Sequence, residues 1–307
     1  MRLPVIDAED LRRVLPMADA IDALEAAFSG PLPEAPLRSH VETRAGTLLL
    51  MPSVGEPGLG VKLVTLTPSN AERGLPFLHA IYVLFDGTTQ SPLALLDGAA
   101  LTGLRTAAVS GLATRFLARP EASHLIVFGA GVQARSHVEA MLVVRPIERV
   151  TVVSRSAPAA GALVDAVLAR GLAARVGSPE TVSEADLVCT CTTSPEPVFD
   201  GRLLPGGAHV NAVGAYTPET RELDDETVRR ARVVVETRQV ALAEAGDLLI
   251  PMRAGVVAED HVVADLAEVV AGAPVRRGPT DVTVFKSVGV GFEDLVVARA
   301  AVDRMSP

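Results

Sequence analysis

Lysine is nearly missing from this chain of 307 residues: all but two of its 28 basic residues are arginine, the exceptions being Lys62 and Lys286. Where arginine is accepted almost everywhere, a retained lysine marks a place that wants a compact, titratable ammonium and not a planar fork. The surroundings of Lys62 support that reading below; those of Lys286 leave it open. Positive charge is also short overall. The net charge of -9 disfavours sequence-independent attraction to a nucleic acid backbone or an anionic lipid surface, because such binding rests on clustered Lys and Arg. No apolar run reaches the roughly 18 residues needed to cross a bilayer, and the first residues lack the long apolar stretch of a secretory signal, so a cytoplasmic protein is expected. Cysteine is down to Cys189 and Cys191. Two apart on a strand, they would share a face about 7 Å apart, badly placed for a bridge. No histidine lies nearby to complete a zinc set. The histidines, His40, His79, His124, His137, His209 and His261, are scattered without metal-like spacing, and no metal is expected.

What is present is enough apolar residue, 49%, and enough length to build two cores of about 100–200 residues each. The N-terminal third reads as mixed α/β. It opens with a helix over 7–28, ended by Gly30-Pro31-Leu32-Pro33, and continues with short strands at 46–51, 60–66, 79–85 and 92–96. Pro, Gly and Asn clusters separate these strands, a spacing that predicts a meandering, mainly antiparallel sheet. After a helix over 102–117, apolar strands alternate with amphipathic helices in the rhythm of a doubly wound parallel sheet. Its strands are expected at 124–128, 150–153, 173–176, 186–190, 209–213 and 233–236, with a late one at 282–285 leading to a terminal helix over 293–305. The fold class is therefore α/β, a Rossmann-type doubly wound parallel sheet with a second mixed α/β domain.

One turn carries a chemical signal. Leu125-Ile126-Val127-Phe128 runs into Gly129-Ala130-Gly131-Val132-Gln133-Ala134, after which apolar residues recur at helical spacing. Gly129 permits the tight turn, Gly131 lets backbone approach a pyrophosphate, and Ala134 is small enough for close helix–strand packing. The helix that follows would turn its N–H groups and positive dipole end toward phosphates. The pattern predicts a dinucleotide cofactor. The next strand ends in Ser154-Arg155-Ser156, where a protein that prefers NAD would place a carboxylate for the ribose hydroxyls. Two hydroxyls and a guanidinium suit a 2′-phosphate instead, so NADP is expected, with NAD possible. Thr190 and Val213, at the ends of two later strands, belong to the expected cofactor set.

Seven ordered segments give the chain a resemblance to the ornithine cyclodeaminase/mu-crystallin family over nearly its full length. They are Gly60-Val61-Lys62-Leu63-Val64, Asn70 to Gly74-Leu75-Pro76, Leu101 to Ala108, the Gly129 to Ala134 turn, Arg221-Glu222-Leu223-Asp224, Ala245-Gly246-Asp247, and Phe285-Lys286-Ser287-Val288-Gly289. The resemblance implies a homodimer. In it, a substrate-binding and dimerisation domain, residues 1–117 with 290–307, accompanies a Rossmann domain, residues 118–289. It also implies a substrate pocket lined by Arg38, Lys62 and Arg105, by motif for the last two and by spacing for Arg38. Thr106 and Ser287, inside the matching segments, join the cofactor set. The residues agree with this. Lys62 shares a strand face with Val64 and Leu66, where an ammonium is costly unless it meets a partner such as a carboxylate. Arg105, early in its helix, is placed for a bidentate grip on one. Glu293-Asp294 also fits the family, but an acidic first turn is explained by the helix dipole alone, and the pair is left out of the expected site.

The family holds cyclodeaminases, amino acid dehydrogenases and ketimine reductases. Cyclodeamination moves several protons and calls for carboxylates at the reacting carbon; at the corresponding positions this chain has Tyr216 and Leu49. Reduction of a cyclic imine needs only a hydride donor, a cationic pocket and a protonated C=N bond. The expected activity is therefore NAD(P)H-dependent reduction of a cyclic 2-imino acid, Δ1-pyrroline-2-carboxylate or Δ1-piperideine-2-carboxylate. The alternatives are an alanine-type dehydrogenase, an ornithine cyclodeaminase, and a non-catalytic NADPH- or small-ligand-binding protein.

Overall fold

Apolar residues alternating with half-exposed ones along the N-terminal third build one antiparallel meander, and continuous apolar runs further on build a parallel sheet. The computed structural model describes residues 3–56 and 58–305. It divides into two units, Met1–Ala108 with Val290–Pro307 and Val109–Gly289.

In the first unit, β1 (Val5–Ile6) precedes α1 (Ala8–Val14) and α2 (Met17–Phe28). A single helix was expected here. The break falls at Leu15-Pro16: proline has no N–H and excludes the preceding residue from the helical region, and Leu15 sits at φ -131°, ψ 85°. Then come β2 (Ser39–Glu42), β3 (Thr47–Gly55), β4 (Gly58–Leu66), β5 (Leu78–Phe85) and β6 (Pro92–Asp97), in the spatial order β1-β6-β5-β4-β3-β2. Every neighbouring pair from β2 to β6 is antiparallel, and β1 lies parallel to β6. The sequence reading omitted β1 and β2. β2 has no buried residue and β1 has one, so neither shows the apolar alternation that reveals a strand. One sheet face carries Leu49, Met51, Val64, Tyr82, Leu84 and Leu96, all buried. The C-terminal helix, Gly291–Met305, lies against β3, β4, β5 and α2, with Phe292 edge-on to Phe28 at 5.3 Å. α3 (Gly98–Leu117) starts four residues earlier than expected, because Asp97 caps it by accepting from the N–H groups of Ala99 and Ala100. The division between the units falls inside this helix.

The second unit contains β7 (His124–Phe128), α4 (Val132–Val144), β8 (Arg149–Val153), α5 (Ala157–Leu168), β9 (Ala173–Val176), β10 (Leu187–Thr190), β11 (His209–Ala212) and α6 (Asp225–Arg230). β12 (Ala231–Val235), α7 (Arg238–Glu244), α8 (Gly246–Arg253), β13 (Val262–Asp265), α9 (Leu266–Val270) and β14 (Val282–Lys286) complete it. The spatial order is β13-β12-β14-β11-β10-β7-β8-β9, parallel throughout. Every residue of β7, β10, β11 and β14 is buried, as expected of central parallel strands covered on both faces. The last strand, β14, enters the sheet between β11 and β12. β13, at the edge, was not anticipated. No helix among the described residues is long and apolar enough to cross a membrane.

Candidate active site

In the first unit, the inward face of β4 presents Gly60, Lys62 and Val64 in alternation. Lys62 stands between Met51 of β3 and Tyr82 of β5, and only 1% of it is exposed. Arg105 reaches the same place from the second turn of α3, 5% exposed. Gly98 lets α3 come close: a Cβ there would lie 2.7 Å from the carbonyl carbon of Ala80. The two residues that complete the cluster are the pair that the sequence reading set aside. Glu293 and Asp294, in the first turn of the C-terminal helix, are fully buried. Lys62 Nζ lies 2.9 Å from Asp294 Oδ1 and 2.8 Å from Oδ2. Arg105 donates through Nε to Asp294 Oδ1 at 3.2 Å and through Nη1 to Glu293 Oε2 at 2.9 Å. The helix dipole accounts for an acidic first turn in water; these two acids are out of water and bound to cations. The available signal was their place at the head of a helix whose next residues, Leu295 to Ala298, are all apolar.

Arg38, on the segment just before β2, is near enough for its charge to act on Lys62. Burial, first, and the neighbouring Arg105 and Arg38 push the Lys62 ammonium down to about 8, against the opposing pull of Asp294. The structure thus places Lys62 and Arg105 on the same two acids, with Arg38 close enough for its charge to be felt. Lys62 and Arg105 are buried against two carboxylates, and Arg38, only part-buried, adds its positive charge from nearby. Leu49, where a cyclodeaminase carries an acid, is a buried core residue of β3. Thr106 follows Arg105 on α3, 7% exposed, its hydroxyl without a hydrogen-bond partner among the described residues.

In the second unit the glycine turn has the shape that the spacing predicts. Gly129 sits at φ +108°, and a Cβ there would fall 2.5 Å from the Cys191 carbonyl oxygen, so only glycine fits. Gly131 is the N-cap of α4, no side chain among the described residues caps that helix, and a Cβ on Gly131 would meet no described atom within 4 Å. Ala134 is fully buried and Val132 largely exposed. An uncapped helix start with open room above its capping glycine fits a pyrophosphate, which takes backbone N–H groups and the dipole end. At the end of the adjacent β8, Ser154 Oγ accepts from Ser156 N at 3.3 Å, and Ser156 caps α5 by accepting from Ala159 N at 3.4 Å. Arg155 between them is exposed.

Thr190 and Ser287, also expected at the cofactor, donate their hydroxyls to buried carboxylates: Thr190 to Glu222 at 2.8 Å and Ser287 to Glu236 at 2.6 Å. Val213 N bonds to the Thr190 carbonyl at 3.1 Å, just past β11. All three lie along the carboxyl ends of the strands, where such sheets bind ligands. Glu222 also accepts from Thr192 N and Gly214 N, and so pins the loops after β10 and β11. Its carboxyl is raised by burial and by Asp247. Lys286 answers the question left open for it. It is buried, 2.8 Å from Asp247 Oδ2 and 2.5 Å from the Ala215 carbonyl oxygen, and the same Asp247 accepts from the N–H groups of Glu222 and Leu223. That is a structural tie between loops. No group of three or more His, Cys, Asp or Glu among the described residues is arranged to hold a metal ion.

Comparison with known proteins finds relatives over nearly the full length of the chain. The chain is 36% identical over 317 residues to the Delta(1)-pyrroline-2-carboxylate reductase of Bacillus cereus, covering 98% of this chain and 96% of the relative. It is 39% identical over 271 residues to the ketimine reductase mu-crystallin of Rattus norvegicus, covering 87% and 83%. Among solved structures, that of Thermococcus litoralis Delta(1)-pyrroline-2-carboxylate reductase in complex with NADH and L-proline superposes with a TM-score of 0.93 at 36% identity, covering 98% of this chain and 97% of that one. The profile of one family matches residues 4–307, and the chain belongs to that ornithine cyclodeaminase/mu-crystallin family.

Proposed function

We propose that the protein is an NAD(P)-dependent oxidoreductase that reduces the C=N bond of a cyclic 2-imino acid, Δ1-pyrroline-2-carboxylate or Δ1-piperideine-2-carboxylate, to the cyclic amino acid. The observation that carries this is the buried pair Lys62 and Arg105, held side by side by Asp294 and Glu293, with Arg38 near enough for its charge to act on Lys62. Of the two relatives named above, one is a Delta(1)-pyrroline-2-carboxylate reductase and the other a ketimine reductase. The cofactor, held on Gly129, Gly131, Val132, Gln133 and Ala134, supplies a hydride. The cations would bind and orient the substrate carboxylate. Cyclodeamination is disfavoured by the chain's own acids: Glu293 and Asp294 are held in ion pairs and are poorly suited to shuttle protons. Ser154, Arg155 and Ser156 support NADP, with Arg155 taking the 2′-phosphate.

The sheet face of the first unit opposite its core carries Leu48, Leu50, Val61, Leu63, Ile81 and Val83, none fully buried and Ile81 half exposed. A second copy of the chain would cover that apolar face, making a homodimer. The cytoplasm, where the cofactor and small imino acids are at hand, is the expected compartment.

The test is loss of nicotinamide absorbance with each imino acid, and separately with pyruvate plus ammonia, using NADPH and NADH in turn. Oxidation with the imino acids alone is expected. Oxidation with pyruvate and ammonia alone would replace this reading by an alanine-type dehydrogenase, and tight NADPH binding without turnover by a binding protein.

A further inference from the structure

We propose that Asp294 is a positioning residue for this reduction, fixing both the place and the charge of Lys62. The inference rests on the imino acid reductase reading above. Both carboxylate oxygens of Asp294 lie within 2.9 Å of Lys62 Nζ, and the acid is fully buried. Lys62 has no water to fall back on, since its side chain is 2% exposed.

The groups facing that ammonium come from every element packed around it. Arg105 stands on α3, Arg38 ahead of β2, Tyr82 on β5, and Glu293 with Asp294 on the C-terminal helix. The Tyr82 phenol is raised far above its ordinary range by burial and by Asp294, so it stays neutral. If the Asp294 charge is removed, Lys62 and Arg105 are left with one carboxylate, Glu293, in a dry setting, and the charge of Arg38 still acts on Lys62. Both arginines keep their protons under such conditions, and a lysine gives up its own. Burial and Arg105 already bring Lys62 to about 8 while Asp294 opposes them. Without that opposition Lys62 is pushed further toward its neutral form and attracts the substrate carboxylate less. Arg105 remains held by Glu293, so the consequence falls on Lys62.

The experiment is the pH dependence of kcat/KM for imino acid reduction by wild type and by Asp294→Asn, together with NADPH binding to each. The variant is expected to lose roughly a hundredfold in kcat/KM at neutral pH, chiefly through KM. Its alkaline limb, in wild type near the Lys62 value of about 8, should move down by at least about one pH unit. The substrate's own titration is common to both proteins and cancels in the comparison. NADPH affinity should change by less than about twofold. A variant that is weaker but keeps the wild-type limb overturns the proposal, because a purely structural role leaves the titration where it was. If the single variant does not fold, the neutral pair Lys62→Met with Asp294→Asn avoids a lone buried charge. Measured against Lys62→Met alone, it should lose no more than about threefold further; an independent, multiplicative loss sinks the idea. A wild-type protein that reduces no imino acid at all would instead count against the proposed function.

Discussion

Replacing Arg105 by lysine keeps one positive charge and loses the fork that joins Glu293 and Asp294. A lysine ammonium reaches one of these acids and leaves the other buried with less than its full complement of partners, a change of about 3 kcal/mol or more. The expected outcome for Arg105→Lys is a fall in kcat/KM of roughly a hundredfold and a lower melting temperature, read by steady-state kinetics and calorimetry. Arg155→Ala acts elsewhere. Loss of charge-assisted hydrogen bonds to a 2′-phosphate is worth about 1.5–3 kcal/mol, so the Kd for NADPH should rise about ten- to a hundredfold while that for NADH stays unchanged. Equal effects on both cofactors would remove Arg155 from the phosphate site. Lys62 was legible in the sequence, because an ammonium on an apolar strand face demands a partner and the chain has only two lysines; Arg105 and Arg38 were expected from the family resemblance. Their acidic partners were not. Glu293 and Asp294 look the same in sequence whether the first turn of their helix meets water or a buried lysine.

At the scale of the element, two glycines two residues apart in one turn make opposite predictions. Gly129→Ala forces φ +108° on a residue with a side chain and drives it into the Cys191 carbonyl. The fold should lose about 1–3 kcal/mol, seen as a lower urea midpoint. Gly131→Ala meets no protein atom and costs no more than about 1 kcal/mol as a poorer N-cap, yet it should weaken NADPH binding, because the methyl group stands where pyrophosphate approaches. A Gly131→Ala protein that binds NADPH as wild type does would move the phosphates away from α4. The glycine turn, the strand before it and the helix after it could be read from the sequence, since each is set by local sterics and periodicity. The break in the first helix also lay in the sequence, at Pro16, although the apolar spacing runs on through it. The edge strands β1, β2 and β13 escaped notice, being short, weakly patterned or both.

For the whole molecule, the buried histidines set the acid limit. His137 and His209 are fully buried and burial pushes them down, from 6.5 to about 4 and about 3. Below pH 6.5 the unfolded chain takes up protons at these sites and the folded chain does not. Stability is therefore fully present above pH 6.5 and is lost as the pH falls toward 4, by roughly 1.4 kcal/mol per pH unit for each site. Urea midpoints measured across this range should decline, and the decline should lessen in His137→Gln. The dimer is testable at the same scale: Leu63→Arg, on the outer sheet face, should give monomers in sedimentation, and a wild-type protein already monomeric would dismiss the homodimer. By itself the sequence determined the α/β class, the parallel sheet with its phosphate turn, the meander ahead of it and the cationic character of the substrate site, because periodicity, glycine sterics and the cost of burying charge act over a few residues. Only the tertiary structure decided that β14 lies between β11 and β12 and that a helix from the far end of the chain brings Asp294 to Lys62. Contacts across 232 positions are fixed by which apolar faces bury one another, and no local pattern records the partner.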